Sequence, residues 1–109
     1  MSPEDIVQKQ VEYYNNHDLD GFISMYDDSI ELYTINNTNP DLTGMSELKK
    51  KYNERFKNPN LHVTIINRIK KDNFIIDEEY VEGISDNVII VVAIYEIKNE
   101  KIRKVVFIR

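Results

Sequence analysis

Val88-Ile89-Ile90-Val91-Val92-Ala93-Ile94 is apolar without a break. A strand turns alternate side chains to opposite faces, so an unbroken apolar run asks for cover on both sides. Helices packed on one face alone would leave Val88, Ile90, Val92 and Ile94 in water, forgoing roughly 1.5 to 3 kcal/mol for each. The simplest cover is a second copy of the chain, sheet against sheet about a two-fold axis, because one self-complementary patch then serves both subunits. A strand enclosed within a single chain by sheet curvature and loops is the alternative. On the dimer reading Ile89, Val91, Ala93 and Tyr95 turn towards the helices, and on the last strand Val105, Phe107 and Arg109 do the same.

Working outward, the second half of the chain reads as four strands, about 61 to 71, 74 to 82, 87 to 98 and 102 to 109. The connections Lys71-Asp72-Asn73, Gly83 to Asp86 and Lys98 to Lys101 are hairpin-sized, which makes an antiparallel meander. The first half is helical. Ser2 caps a helix with Pro3 at its first position and Asp5 three residues after the cap; Val7, Val11 and Tyr14 form its apolar face, and it runs out in Asn15-Asn16-His17. Asp18 caps a second, short helix, with Leu19, Phe22, Ile23 and Tyr26 on one stripe and an end at Asp27-Asp28. Ile30, Leu32 and Thr34 then alternate with Glu31, Tyr33 and Ile35 as in a strand, before turn chemistry at residues 36 to 40. Gly44 precedes a third helix, Ser46 to about Phe56, built on Leu48, Tyr52 and Phe56 and stopped by Asn58-Pro59-Asn60. The expected architecture is α+β, three N-terminal helices on one face of a curved, mostly antiparallel sheet, in one domain spanning residues 1 to 109.

Composition narrows the function. The 109 residues are 41% hydrophobic and 30% charged, with a net charge of −5, which argues against a nucleic-acid partner or an anionic membrane surface. There is no Cys, so disulfides and thiolate metal sites are excluded, and no apolar run approaches the roughly 20 residues of a membrane span. The start Met1-Ser2-Pro3-Glu4-Asp5 is acidic where a signal peptide would be basic and then greasy, so the cytoplasm is the simplest address. No phosphate loop, metal-ligand cluster or nucleophile triad can be assembled, and no cofactor or metal is expected.

Several phrases resemble a known superfamily. Tyr13-Tyr14-Asn15-Asn16-His17-Asp18-Leu19-Asp20-Gly21-Phe22, then Met25-Tyr26-Asp27-Asp28, the turn ending Leu42-Thr43-Gly44, and Ile94-Tyr95-Glu96-Ile97 with Ile102 to Arg109 resemble the superfamily that includes nuclear transport factor 2, ketosteroid isomerase and the SnoaL-like polyketide cyclases. Within it, Asn67-Arg68-Ile69, Asp77-Glu78-Glu79 and Val106-Phe107-Ile108-Arg109 look like the small bacterial proteins labelled steroid delta-isomerase-like. The resemblance implies a cone-shaped roll enclosing a pocket, frequently a dimer through the outer face of the sheet. It does not carry over the ketosteroid isomerase constellation of an aspartate base, a helix-1 tyrosine and a protonated strand acid. The corresponding positions hold Tyr33, about Gln10 and Ala93.

The chemical content lies in the strand at 74 to 82, where Ile75, Asp77, Glu79 and Val81 share one face and Phe74, Ile76, Glu78, Tyr80 and Glu82 the other. Either face buries a carboxylate, and a single bulge would exchange Asp77 and Glu79 for Glu78 as the inward acid. A buried carboxylate finds an arginine, Arg68 or Arg109, or takes up a proton. Asp77 and Glu79 are thus the catalytic candidates, able to abstract or shuttle a proton beside a ligand carbonyl with Tyr14 or Tyr95 donating a hydrogen bond; a structural cross-strand ion pair is the plainer role. The expected pocket wall is aromatic on the helix side, with Tyr14, Phe22, Tyr26, Tyr52 and Phe56. Val91, Ala93, Tyr95, Phe107, Arg68 and Arg109 line it on the sheet side. His62 at a strand start, His17 at a helix end and Lys49 to Lys51 on a helix face read as structural or solvated. Two functions follow. One is isomerase, cyclase or dehydratase chemistry by carboxylate proton transfer on an apolar carbonyl compound; the other is a non-catalytic dimeric module that binds a small apolar molecule or a protein partner.

Overall fold

Residues 1–109 are described by a computed structural model. The elements are α1 (Pro3–Asn15), α2 (Leu19–Ser24), β1 (Tyr26–Thr34), β2 (Leu42–Thr43), α3 (Met45–Arg55), β3 (His62–Lys71), β4 (Phe74–Glu82), β5 (Ile89–Lys98) and β6 (Lys101–Ile108). The capping box at the start of α1 is complete: Ser2 Oγ accepts from the Asp5 amide at 3.1 Å and the Asp5 carboxylate accepts from the Ser2 amide at 3.4 Å. His17 leaves the helix in the left-handed region (φ 55°), and its ring meets the Leu61 carbonyl at 2.9 Å, tying the corner to the start of β3. The Asp18 carboxylate then caps α2 by accepting from the Gly21 amide at 3.0 Å.

Helix α2 ends sooner than its apolar stripe suggests. Tyr26 does not complete a helical stripe; it opens β1, because the neighbouring strand captures the chain there. The Ile102 amide donates to the Met25 carbonyl at 2.9 Å, and Tyr26 stands opposite Ile102. The sheet has six strands in the order β2-β1-β6-β5-β4-β3. Strands β3 to β6 form the expected antiparallel meander, while β1 joins it through a parallel pairing with β6. The two-residue β2, read in the sequence as part of a turn, pairs with β1 at Leu32↔Leu42.

Helices α1, α2 and α3 cover one face of the sheet, and the core lies between them. Ile6 and Val7 of α1, Leu48 of α3, Ile30 of β1, Ile75 of β4 and Val105 of β6 are fully enclosed there, each worth roughly 1.5 to 3 kcal/mol of burial. On β4 the inward set is Ile75, Asp77, Glu79 and Val81, so the outward acids are Glu78 and Glu82. On β5 the inward set is Val91, Ala93, Tyr95 and Ile97. Register shifts at Ile65/Asn67 and Glu96/Ile97 bend the sheet, and the second explains why Ile102 and Val105 are both buried although three residues apart. Val88 precedes β5, and both it and Ile90 are 56% exposed; Val92 and Ile94 are half-buried. The chain alone therefore does not enclose its longest apolar run. No helix is long and apolar enough to cross a membrane.

Candidate active-site pocket

The inner face of the bent sheet and the three helices leave a cavity of about 50 Å³. Helix α1 contributes Gln10 and Tyr14, α2 Phe22, β1 Tyr26, and α3 Tyr52 and Arg55. The sheet side supplies Glu79, Val91, Tyr95 and Phe107, with Arg109 just beyond β6. Phe22 is the hub of an aromatic cluster, its ring centroid 4.6 Å from Tyr52, 4.9 Å from Tyr26 and 5.3 Å from Phe56. Such rings are stiff and keep the wall in place.

A hydrogen-bonded chain crosses the floor. The Tyr26 hydroxyl donates to Gln10 Oε1 at 3.0 Å, Gln10 Nε2 donates to the Tyr95 hydroxyl at 3.1 Å, and Tyr95 donates to Glu79 Oε2 at 3.3 Å. Glu79 is 5% exposed. Its second oxygen accepts no hydrogen bond from the protein, and no buried side-chain polar atom in the molecule lacks a partner; that oxygen therefore faces the cavity. Burial, reinforced by the charge of Asp77, pushes the Glu79 carboxyl up to about 8, against the opposing pull of the Tyr95 hydrogen bond and Arg68. Burial also raises the Tyr14, Tyr26, Tyr52 and Tyr95 hydroxyls, so all four remain protonated donors at neutral pH. The Tyr14 and Tyr52 hydroxyls have no protein acceptor and line the cavity, with the Arg55 guanidinium close enough to the Tyr14 hydroxyl to oppose its rise.

Asp77 has a different environment. It is 0% exposed and held by a two-pronged ion pair, Arg68 Nε to Oδ1 at 2.7 Å and Arg68 Nη2 to Oδ2 at 2.9 Å, with Arg68 Nη1 donating to Gln8 Oε1 at 2.9 Å. Asp77 and Arg68 do not line the cavity, contrary to the expectation for both. Neither does Ala93, which stands opposite Asp77 in the β4–β5 register and so lies in the same closed layer. Phe56, also expected in the wall, packs behind Tyr14, Phe22 and Tyr52. Tyr95 gives its hydroxyl to Glu79 instead of to the hollow, which leaves Tyr14 as the free donor of the two expected. Tyr14, Phe22, Tyr26, Tyr52, Val91, Tyr95, Phe107 and Arg109 do come together around the cavity.

The wall also holds Val11, Val63, Val81 and Ile84 and two polar residues, Gln10 and Arg55, that the sequence reading had not placed there. Gln10 is a polar side chain between Val7, Val11 and Tyr14 on the buried stripe of α1, and that misplacement was its signal. Arg55 follows Tyr52 by three residues and so shares its side of α3. No three His, Cys, Asp or Glu side chains assemble into a metal-ligand set.

The chain resembles solved structures along nearly its whole length. An uncharacterised cystatin-fold protein from Novosphingobium aromaticivorans superposes with a TM-score of 0.87 at 20% identity, over 100% of this chain and 99% of that one. A nuclear transport factor 2-like protein of unknown function from Cytophaga hutchinsonii gives 0.84 at 7% identity, over 98% and 88%. This is the nuclear transport factor 2-like fold. The epoxide hydrolase/cyclase-like enzyme SalBIII, of pyran ring formation in the polyether salinomycin, shares it with a TM-score of 0.83 at 12% identity, over 97% of this chain and 88% of that one. No protein-family profile and no curated protein matches the sequence. Within this fold the chain brings its cavity carboxylate from β4, at Glu79, while Tyr33 bonds Glu31 at 3.3 Å outside the cavity and Ala93 is buried beneath it.

Proposed function

We propose that this chain is a small proton-transfer enzyme acting on an apolar carbonyl compound, with Glu79 as the base. The observation that carries the reading is one carboxylate oxygen open to an apolar cavity and raised to about 8, close to the working pH, where general bases are most effective. In this reading Glu79 takes a proton from the carbon beside the carbonyl, the developing negative oxygen accepts from the Tyr14 or Tyr52 hydroxyl, and Glu79 returns the proton elsewhere on the carbon frame. Isomerisation, ring closure and dehydration all begin with such a step. The closed Arg68–Asp77 pair anchors β3 to β4 beside it and takes no part in the reaction.

The working unit in this proposal is a homodimer in the cytoplasm. Register brings Tyr80 beside Ile90, Ile76 beside Ile94, and Val106 and Ile108 beside Ile94 and Val92, which makes a largely apolar outer face interrupted by Glu78 opposite Val92. A second copy covers it about a two-fold axis.

The test is exchange of carbonyl-adjacent protons with heavy water in a panel of small ketones, followed by proton NMR. Wild type should exchange them faster as pH rises, levelling off above about 8 as Glu79 loses its proton, and Glu79→Gln should not. A second reading, a non-catalytic binding module, draws support from the small volume of the hollow, about 50 Å³ against the roughly 300 Å³ or more of drug-sized sites. Binding of the same ketones with no exchange in either protein would favour the module.

A further inference from the structure

Two arginines line this cavity with a lysine one helical turn behind one of them, and none of the three has a carboxylate partner. Arg55 and Arg109 both line it, and Lys51 lies one helical turn before Arg55 on α3. The ion pairs of the molecule join Met1 to Glu100, Lys57 to Glu54, Arg68 to Asp77 and Arg103 to Glu31, and use none of the three. Each lies against an aromatic ring: Arg55 at 5.4 Å and Lys51 at 5.8 Å from the centre of Tyr52, and Arg109 at 5.1 Å from the centre of Phe107. These rings fix the cations in position and leave their charge unneutralised. The three groups also feel one another. The Lys51 ammonium is lowered by burial and then by the charges of Arg55 and Arg109, and the nearby acid that opposes this, Asp41, accepts from the Thr34 hydroxyl at 2.6 Å.

Such a gathering is unexpected on a chain of 19 acidic and 14 basic residues. Like charges held together without a counterion are relieved by a bound anion. The acid in the cavity, Glu79, makes no ion pair with any of the three and is hydrogen-bonded to Tyr95 instead. The remaining wall is apolar and aromatic, which suits a hydrocarbon body and not a bare inorganic ion.

We propose that the ligand is a small organic carboxylate, such as a short keto acid, whose carboxylate lies between Arg55 and Arg109 at the mouth, with Lys51 behind. Its apolar, carbonyl-bearing end points inward to Glu79. The orientation rests on the proton-transfer reading above; the preference for an anion does not.

The probes are levulinate, its neutral methyl ester and inorganic phosphate, titrated calorimetrically into the wild-type chain at neutral pH. Levulinate is expected to bind at least about tenfold tighter than the ester, equivalent to about 1.4 kcal/mol. Arg55→Gln and Arg109→Gln should each shrink that margin several-fold and together abolish it, while Lys70→Gln, which removes an exposed charge on β3, should leave it intact. Added salt should weaken levulinate and spare the ester. Equal binding of acid and ester, a margin that survives in the double arginine variant, phosphate binding as tightly as levulinate, or binding of neither organic probe would each overturn the proposal. A carbon NMR titration of the Glu79 carboxyl separates the two claims. An ordinary value there refutes the proton-transfer reading and leaves the anion preference standing; an elevated value without an anion preference refutes only the inference.

Discussion

Replacing Glu79 by glutamine is expected to stabilise the protein relative to wild type by a margin that grows as pH rises. In the unfolded chain this carboxyl ionises near 4.5, and in the fold near 8. Between those values the folded state holds a proton that the unfolded state has released. Stability is therefore fully present below about 4.5, falls as pH rises through the window, and is level above about 8. The slope is about 1.4 kcal/mol per pH unit, so the full window is worth about 5 kcal/mol at most, reduced to the extent that water enters the hollow. Glutamine has nearly the same shape, accepts from Tyr95 through its carbonyl oxygen and has no proton to lose. Urea unfolding of both proteins at intervals from about pH 5 to about pH 9, the span around the shifted group, is the assay. Subtracting the two profiles removes the other titrating groups. The difference should be small at the acidic end and reach several kcal/mol at the alkaline end. Parallel profiles would show that Glu79 ionises as an ordinary surface acid and would remove the physical basis of its proposed role.

Three further outcomes follow from the packing. Asp77→Ala strands the Arg68 guanidinium beside an enclosed gap and should cost about 3 kcal/mol in urea unfolding, as breaking buried pairs does; a loss below about 1 kcal/mol would mean the pair contributes like a surface one. Gly83→Ala should lower stability by about 2 kcal/mol or more, because Gly83 has φ +95° and an added Cβ would sit 2.7 Å from the Leu61 backbone; an unchanged melting temperature contradicts that geometry. Ile90→Asp, on the exposed outer face, should convert the proposed dimer to monomer in sedimentation velocity while the circular dichroism spectrum is kept, and a wild type that already sediments as a monomer would defeat the dimer proposal.

Most of the framework was readable because it depends on local rules. Ser2, Pro3 and Asp5 announce α1, and strict alternation assigned Val91, Ala93 and Tyr95 to the inner face of β5. Alternation could not choose between the two faces of β4, since both mix acids with apolar residues; packing against the helices made the choice in favour of Asp77 and Glu79. It also could not separate those two. They point the same way, and only the reach of Arg68 from the next strand closes one of them off and leaves the other open. The fate of Tyr26 was hidden for a related reason. A stripe at helical spacing carries no record of a strand from the far end of the chain that bonds Met25 and draws the backbone straight.

That same pairing has a consequence for the order of assembly. Strand β6 stands between β1 and β5, so the latest strand to be synthesised is the one that joins the two halves of the sheet. While a ribosome is still making it, β1 has only the two-residue β2 for company and the hairpins of β3 to β5 end in an open edge. The closing contact bridges a long loop, whose entropy must be lost before any packing is gained, and this makes completion of the scaffold slow relative to the helices.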